Sequence, residues 1–269
     1  MTEGVAMARG SVSVTSTDGL LLDVMVHHPD AAMASRGTVI QAHGITVDMD
    51  EGGMFLRLAD QLAEAGFTVL RFSFRGHGHS EGTQRGVTIA GEMLDLQAVV
   101  DHAVASLPGP LSMVAASFGA VSTILSLPYL DAQLRGVVLW NPVLDLRHTF
   151  TEPELPWGLE NFGPQGREQL RAAGYLLIDG EFELGRVAFQ EMDVYQPLLA
   201  WAASTVSGLI IHGDRDSYVS YDIARQAATT RPGTQFHTVS DSGHGFDSLE
   251  RENEAIAVTV EWLIDRPVR

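Results

Sequence analysis

An apolar run that ends in a serine constrains this chain more than any other segment. Residues 111–116 have the character of a buried strand, Ser117 follows directly, and 121–127 is predicted to be helical. Only small side chains fit so sharp a turn, and Ala115 and Gly119 stand two positions on either side of the serine. Such a turn would lift the Ser117 hydroxyl clear of the backbone, where a neighbouring base could activate it. Ser117 is therefore the first candidate nucleophile.

Strand-like and helix-like segments alternate around this turn. Further short apolar strands are predicted over 38–42, 67–72, 136–140, 206–211 and 235–239. Apolar residues at helical spacing follow most of them, and residues 11–28 read as a β-hairpin. This alternation predicts an α/β fold with a mostly parallel sheet and helices on both faces.

The alternation breaks between residues 143 and 203. This stretch carries prolines, scattered aromatic residues and a hairpin signal at Asp179-Gly180. A loop of this length without structure would be improbable inside a compact domain. We therefore predict a core formed by residues 1–142 and 204–269, with residues 143–203 inserted as a lid.

Composition excludes several kinds of chemistry. The net charge of −17 disfavours a nucleic-acid partner. All 17 cationic side chains are Arg, which excludes a lysine nucleophile or Schiff base, and the lack of Cys excludes disulfides and thiolate chemistry. The N-terminus lacks the features of a signal peptide, and no apolar run is long enough for a membrane span. We expect a cytoplasmic protein with no membrane partner.

Candidates for a base and an acid follow Ser117 along the chain. His244 lies in a glycine-flanked loop, and an imidazole can take and return a proton near neutral pH. Asp216 follows a predicted strand and could fix the tautomer and orientation of that imidazole. Asp214 and Asp241 are the alternatives for the acid. The order Ser, Asp, His is the strongest functional indication in the sequence.

Several segments together resemble the α/β-hydrolase superfamily over nearly the whole chain. Besides the Ser117 turn, they are 38–46, with its His-Gly strand end, 72–80, 212–219 and the histidine loop 242–246. Ala115 and Ala116 depart from the usual Gly and His before the serine, and Ser73 stands where Asp is usual. The hairpin-containing lid resembles that of feruloyl and cinnamoyl carboxylesterases in particular.

The resemblance implies further site residues. The backbone N–H groups of Ile45 and Phe118 would form the oxyanion hole. Aromatic side chains of the predicted lid could line the substrate pocket or only pack the lid onto the core; they are Trp157, Phe162, Tyr175 and Phe182. The implied reaction is hydrolysis of a carboxylic ester of a small-molecule acyl substrate through an acyl-enzyme, with no cofactor and no metal.

Other hypotheses stay open at this point. The same three residues could serve a thioesterase, an acyltransferase or a carbon–carbon bond hydrolase, and a non-catalytic binding module could share the fold. The oligomeric state is undetermined, with a homodimer as one option. The acidic run of Asp48, Asp50 and Glu51 could contact a polar substrate group or form a solvated stretch ahead of a helix. Arg75 is expected to be structural.

Overall fold

The structure, a computed structural model, describes residues 8–266. Within this range the strands are β1 (Arg9–Thr15), β2 (Leu21–His27), β3 (Thr38–Ala42), β4 (Thr68–Phe72), β5 (Leu111–Ala116), β6 (Leu134–Trp140), β7 (Tyr175–Ile178), β8 (Phe182–Gly185), β9 (Gly208–Gly213) and β10 (Thr234–Val239). The helices are α1 (Met54–Glu64), α2 (Ile89–Ser106), α3 (Gly119–Leu130), α4 (Pro156–Phe162), α5 (Pro164–Ala173), α6 (Arg186–Glu191), α7 (Pro197–Ala203), α8 (Tyr221–Thr230) and α9 (Leu249–Ile264). None of them is both long and apolar enough to cross a lipid bilayer.

A single eight-stranded sheet has the order β1-β2-β4-β3-β5-β6-β9-β10. The first two strands are antiparallel to their neighbours, and the pairs from β4 to β10 are parallel. Every residue of β3, β4 and β5 is buried, which explains why these strands are mostly apolar and do not alternate between polar and apolar residues. The predicted α/β-hydrolase fold with a mostly parallel sheet is confirmed.

Two apolar clusters cover the two faces of this sheet. Successive strand residues point to opposite faces, so Val39 joins the cluster that α1 and α9 form, while Ile40 joins the one that α2, α3 and α8 form. Because the strands from β4 to β10 run in the same direction, their carboxyl ends all lie at one edge of the sheet. The pairing of Ala42 with Ala115 brings the loop after β3 beside the turn after β5.

The insertion, as we call residues 143–203, lies against that edge. The hairpin expected at Asp179-Gly180 is present, since β7 pairs antiparallel with β8. Aromatic side chains of the insertion form a third apolar cluster with side chains of the core loops, including Ile45 and Phe118. The core and lid boundaries at 143 and 203 stay a prediction. The last helix of the insertion, α7, buries Trp201 in the apolar cluster that α2, α3 and α8 form.

Arg75 has the structural role that the sequence suggested. Its buried guanidinium contacts the carboxylate of Asp95 at 2.8 Å and that of Asp18 at 2.7 Å. A buried charge needs such partners to offset the cost of leaving water. The pair with Asp95 ties the loop after β4 to α2. Among residues 8–266 no cluster of three or more His, Cys, Asp or Glu side chains is arranged to hold a metal ion.

Candidate active site

Ser117 stands in a strained turn between β5 and α3. Its φ of 50° lies in the left-handed region, which non-glycine residues rarely adopt outside functional sites. Its N–H donates to the carbonyl of Trp140 at 2.8 Å, which ties the turn to β6. A Cβ at position 119 would lie 2.3 Å from the carbonyl oxygen of His43, so only glycine fits there. The turn exposes the hydroxyl at the carboxyl edge of the sheet.

His244 bridges Ser117 and Asp216. Its Nε2 is 2.8 Å from the Ser117 Oγ, and its Nδ1 is 2.7 Å from the Asp216 Oδ2. Asn141 holds the histidine loop, because its Nδ2 donates to the carbonyl of His244 at 2.5 Å while its Oδ1 accepts from the Gly213 N–H at 2.9 Å. The structure thus brings together three side chains that lie far apart in the sequence.

The Asp216 carboxylate is buried and saturated with hydrogen bonds. Its Oδ1 accepts from the N–H groups of Tyr218 and Val219, and its Oδ2 accepts from His244 and faces His212 Nε2 at 3.1 Å. Burial alone would raise the pKa of Asp216, but His244 and His212 outweigh it and hold this pKa well below its ordinary value. The alternative acids stand elsewhere: Asp241 pairs with Arg215, and Asp214 is exposed to solvent.

The charge of Asp216 acts on the imidazole in turn. Burial by itself lowers the pKa of His244, and the nearby Asp216 carboxylate more than reverses this effect, so the pKa is raised above 6.5. The Asp216 hydrogen bond also favours the tautomer with hydrogen on Nδ1, which leaves the Nε2 lone pair facing the Ser117 hydroxyl. This arrangement can accept a proton from the serine.

A cavity of about 520 Å³ opens over Ser117 and His244. Its polar wall, as we call the side formed by the core loops, consists of Gly44, Glu51, Ser117 and His244. Its apolar wall consists of Val143, Phe150, Trp157 and Tyr218. The volume and the mixed lining are typical of a small-molecule site.

Comparison with known families agrees with this geometry. A family model described as serine aminopeptidase, S33, matches residues 33–171, more than half of the chain. The chain belongs to this family of the α/β-hydrolase superfamily. It is therefore a hydrolase by family. A comparison with curated protein sequences gives no significant match.

Solved structures share the fold over nearly the whole chain. Est1E of Butyrivibrio proteoclasticus, determined with bound ferulic acid, has a TM-score of 0.80 and 19% identity, with 95% of this chain and 98% of that chain covered. A protein described as a hydrolase from Agrobacterium vitis has a TM-score of 0.79 and 22% identity, with 97% and 100% covered. An esterase of Pyrococcus furiosus has a TM-score of 0.72 and 20% identity, with 96% and 91% covered. At these identities the likeness shows the fold.

The aromatic residues predicted for the pocket separate into two groups. Trp157 lines the cavity of this α/β-hydrolase. Phe162 does not, because it is fully buried behind Phe150 and Trp157, and Tyr175 does not, because its ring lies 3.8 Å from the Arg85 guanidinium. For Phe162 and Tyr175 the packing alternative therefore holds and the pocket assignment does not, because aromatic content marks where apolar packing occurs, not which ring faces the cavity.

Sequence reasoning gave no role to Tyr218, which lies directly on the catalytic candidate. Its ring stacks on His244 with centroids 5.0 Å apart, and on Trp157 with centroids 4.9 Å apart. The three stacked rings of Trp157, Tyr218 and His244 therefore link the insertion to the imidazole. The backbone N–H of Trp157 also donates to the carbonyl of Ser217 at 3.3 Å. The sequence signal that could have identified Tyr218 is its position two residues after Asp216.

Of the three acidic residues after the His-Gly strand end, only Glu51 faces the cavity. Asp48 is exposed, and Asp50 pairs with Arg71. The Glu51 Oε2 accepts from the Gly44 N–H at 2.7 Å. Burial raises the pKa of Glu51 to about 7, while the hydrogen bond from Gly44 and the charge of His244 act in the opposite direction. A solvated acidic run describes Asp48 but not Glu51.

The two predicted oxyanion donors lie beside Ser117. Phe118 follows it in the chain, and the residue before Ile45 packs against it, since a Cβ at Gly44 would lie 3.2 Å from the Ser117 Cβ. Neither the Ile45 N–H nor the Phe118 N–H donates to another group in the part of the chain that the structure describes. The hydrogen bonds of the described residues therefore leave both amides without an internal acceptor.

Proposed function

We propose that this hydrolase cleaves a carboxylic ester through an acyl-enzyme formed on Ser117. The observation that carries the proposal is the pair of hydrogen-bond distances around His244, 2.8 Å to Ser117 and 2.7 Å to Asp216. A hydroxyl, an imidazole and a carboxylate in this order are the parts of a proton relay for acyl transfer.

The first half of the reaction forms the acyl-enzyme. The Ser117 Oγ attacks the ester carbonyl while His244 Nε2 takes the hydroxyl proton. The negative charge moves to the carbonyl oxygen, which the N–H groups of Ile45 and Phe118 stabilise. Asp216 stabilises the imidazolium without taking its proton. The tetrahedral intermediate then collapses, the ester C–O bond breaks, and His244 protonates the departing alcohol.

The second half releases the acid. A water molecule gives a proton to His244 Nε2 and adds its oxygen to the acyl carbon, which places the charge on the same carbonyl oxygen. The bond between the acyl carbon and the Ser117 Oγ then breaks, and the imidazolium returns its proton to the Ser117 Oγ. The free enzyme and a carboxylic acid result.

The cavity lining supports a neutral ester with an apolar or aromatic part. Phe150 and Trp157 offer ring surface opposite the nucleophile. The charged residues of the lining are four carboxylates and one guanidinium: Glu51, Asp179, Asp247, Glu252 and Arg215. Such a lining disfavours anionic acyl carriers, which supports an oxyester over a phosphate-bearing thioester. Est1E, which has the same fold, binds ferulic acid, so an aromatic ligand has a precedent in this fold.

A substrate panel tests the proposal. Aryl, short-chain and long-chain oxyesters would be assayed beside matched thioesters, activated diketones and aminoacyl anilides, with wild type, Ser117→Ala and the exposed control Ser13→Ala. We expect oxyester turnover in wild type and Ser13→Ala, with loss of about 10³-fold or more in Ser117→Ala. Full turnover by Ser117→Ala would refute the role of the serine. Preference for thioesters, diketones or anilides would refute the substrate class.

A further inference from the structure

The loop after β3 has an unusual set of backbone contacts beside Ser117. The Gly44 N–H donates to Glu51 Oε2 at 2.7 Å, and the Gly44 carbonyl lies 2.7 Å from His43 Nδ1. The Ile45 carbonyl lies 2.6 Å from His77 Nε2. Of the polar backbone groups of Gly44 and Ile45, only the Ile45 N–H has no such contact with the described part of the chain. The surroundings therefore leave the predicted oxyanion donor unoccupied.

The contact with His43 defines the direction of that donor. His43 Nε2 accepts from the Phe74 N–H at 2.9 Å, so the hydrogen of the neutral ring is on Nδ1 and donates to the Gly44 carbonyl. The carbonyl of Gly44 and the N–H of Ile45 belong to one planar peptide, in which they point in opposite directions. Holding the carbonyl thus directs the Ile45 N–H away from His43.

The Gly44 N–H depends on Glu51 for a hydrogen-bond acceptor. Gly44 is buried and has no side chain of its own to hold it in place. A side chain would also be tight there, because a Cβ would lie 3.2 Å from the Ser117 Cβ. The peptide before Gly44 therefore needs an acceptor from elsewhere, and the Glu51 carboxyl group is the acceptor that the structure supplies.

The backbone at Glu51 is adapted to this contact. Glu51 itself has a φ of 47°, and Gly52 and Gly53 follow with φ values of 63° and 94°. Left-handed conformations are natural for the two glycines but unfavourable for glutamate. A strained non-glycine residue persists where its surroundings determine its conformation, and such residues concentrate at functional sites. This turn directs the Glu51 carboxyl group into the cavity.

We propose that Glu51 is a positioning residue of the oxyanion site. By accepting a hydrogen bond from the Gly44 N–H, it holds the loop so that the Ile45 N–H faces the developing oxyanion. This inference rests on the proposed function of Ser117. Glu51 acts through Gly44 and Ile45 and takes no proton from the substrate. A glutamine at this position keeps an oxygen acceptor, whereas an alanine has none and an aspartate is one methylene too short.

Three variants and one control test the proposal. Glu51→Gln, Glu51→Ala and Glu51→Asp would be compared with Asp48→Asn, which removes one charge from an exposed position of the same loop. The assay is hydrolysis of a p-nitrophenyl ester, together with inhibition by a trifluoromethyl ketone that forms a tetrahedral adduct with a catalytic serine. Thermal unfolding of each variant identifies any that does not fold.

Removing a whole oxyanion donor costs about 10²- to 10³-fold in kcat, so we expect a misdirected one to cost about 10- to 100-fold in Glu51→Ala and Glu51→Asp. KM should change less than about twofold, and the inhibition constant of the ketone should rise in parallel with the loss of kcat. Glu51→Gln should stay within about threefold of wild type, and Asp48→Asn should be unchanged.

Several outcomes would overturn the proposal. Wild-type kcat in Glu51→Ala or Glu51→Asp would show that no positioning is needed. Equal loss in Glu51→Gln and Glu51→Ala would show that the charge acts, not the acceptor. A rise in KM alone would indicate contact with the substrate. The two proposals fail differently: an active Ser117→Ala enzyme refutes both, whereas an inactive Ser117→Ala beside a fully active Glu51→Ala refutes only this one.

Discussion

The polar and apolar walls of the cavity are held in different ways. On the polar wall, directional contacts between 2.7 and 2.8 Å define where Ser117, His244 and Glu51 can lie. On the apolar wall, Phe150 and Trp157 pack ring against ring with centroids 6.0 Å apart, and the Trp157 Nε1–H adds one hydrogen bond to Asp179 Oδ1 at 2.8 Å. Hydrogen bonds weaken steeply with angle, whereas apolar packing tolerates changes of shape. Changes on the polar wall should therefore alter rate, and changes on the apolar wall should alter selectivity.

The largest expected effect is that of Asp216→Asn. An amide at this position would favour the wrong tautomer of His244 and remove the charge that stabilises the imidazolium, so kcat should fall by about 10⁴-fold with little change in KM. Steady-state kinetics with a p-nitrophenyl ester measures this. Asp241→Asn is the matched control, because Asp241 pairs with Arg215 and does not contact the imidazole. A loss below tenfold in Asp216→Asn would contradict the relay.

The pH dependence of wild type should show the raised pKa of His244. The imidazole must be neutral to accept the serine proton, so kcat/KM should fall as the pH drops through this pKa, by about tenfold for each pH unit below it. The midpoint should lie above the ordinary histidine value of 6.5. A profile of kcat/KM between pH 5 and 9 checks this, and a midpoint below 6.5 would contradict it.

A smaller effect on selectivity is expected for Trp157→Ala. The variant removes a ring from the apolar wall, so kcat/KM for aromatic or long-chain esters should fall by about tenfold while that for an acetyl ester stays within about threefold. Comparing the two esters in wild type, Trp157→Ala and Trp157→Phe measures the effect. Equal losses for both esters in Trp157→Ala would show that Trp157 acts on the chemistry, through Tyr218 and His244, rather than on substrate shape.

The smallest effect is expected for Tyr175→Leu. Tyr175 lies against Arg85 and not at the cavity, so its replacement should leave the ratio of kcat/KM for aromatic and acetyl esters unchanged. Loss of the cation–π contact with the exposed Arg85 should lower the free energy of unfolding only slightly. Thermal unfolding beside the same ester pair tests both statements. A change in selectivity would place Tyr175 at the substrate after all.

The sequence predicted the features that depend on local patterns, and both walls also have features that it did not predict. Short apolar strands, the Ser117 turn and the hairpin at Asp179-Gly180 depend on local patterns, and the structure has all of them. The positions of Ser117, Asp216 and His244 follow from the same patterns, because parallel strands all end at one edge of the sheet. Their catalytic roles remain proposals.

Tertiary packing alone decided the rest. The sequence presents Trp157, Phe162 and Tyr175 as equivalent aromatic residues, and only the placement of the insertion on the core brings the first of them to the cavity. Likewise Glu51 and Asp48 differ by one methylene in composition, yet the left-handed turn at Glu51 directs one carboxyl group inward and leaves the other in solvent. Strand and turn patterns depend on neighbouring residues in the chain, whereas the direction of a side chain depends on distant elements that pack around it.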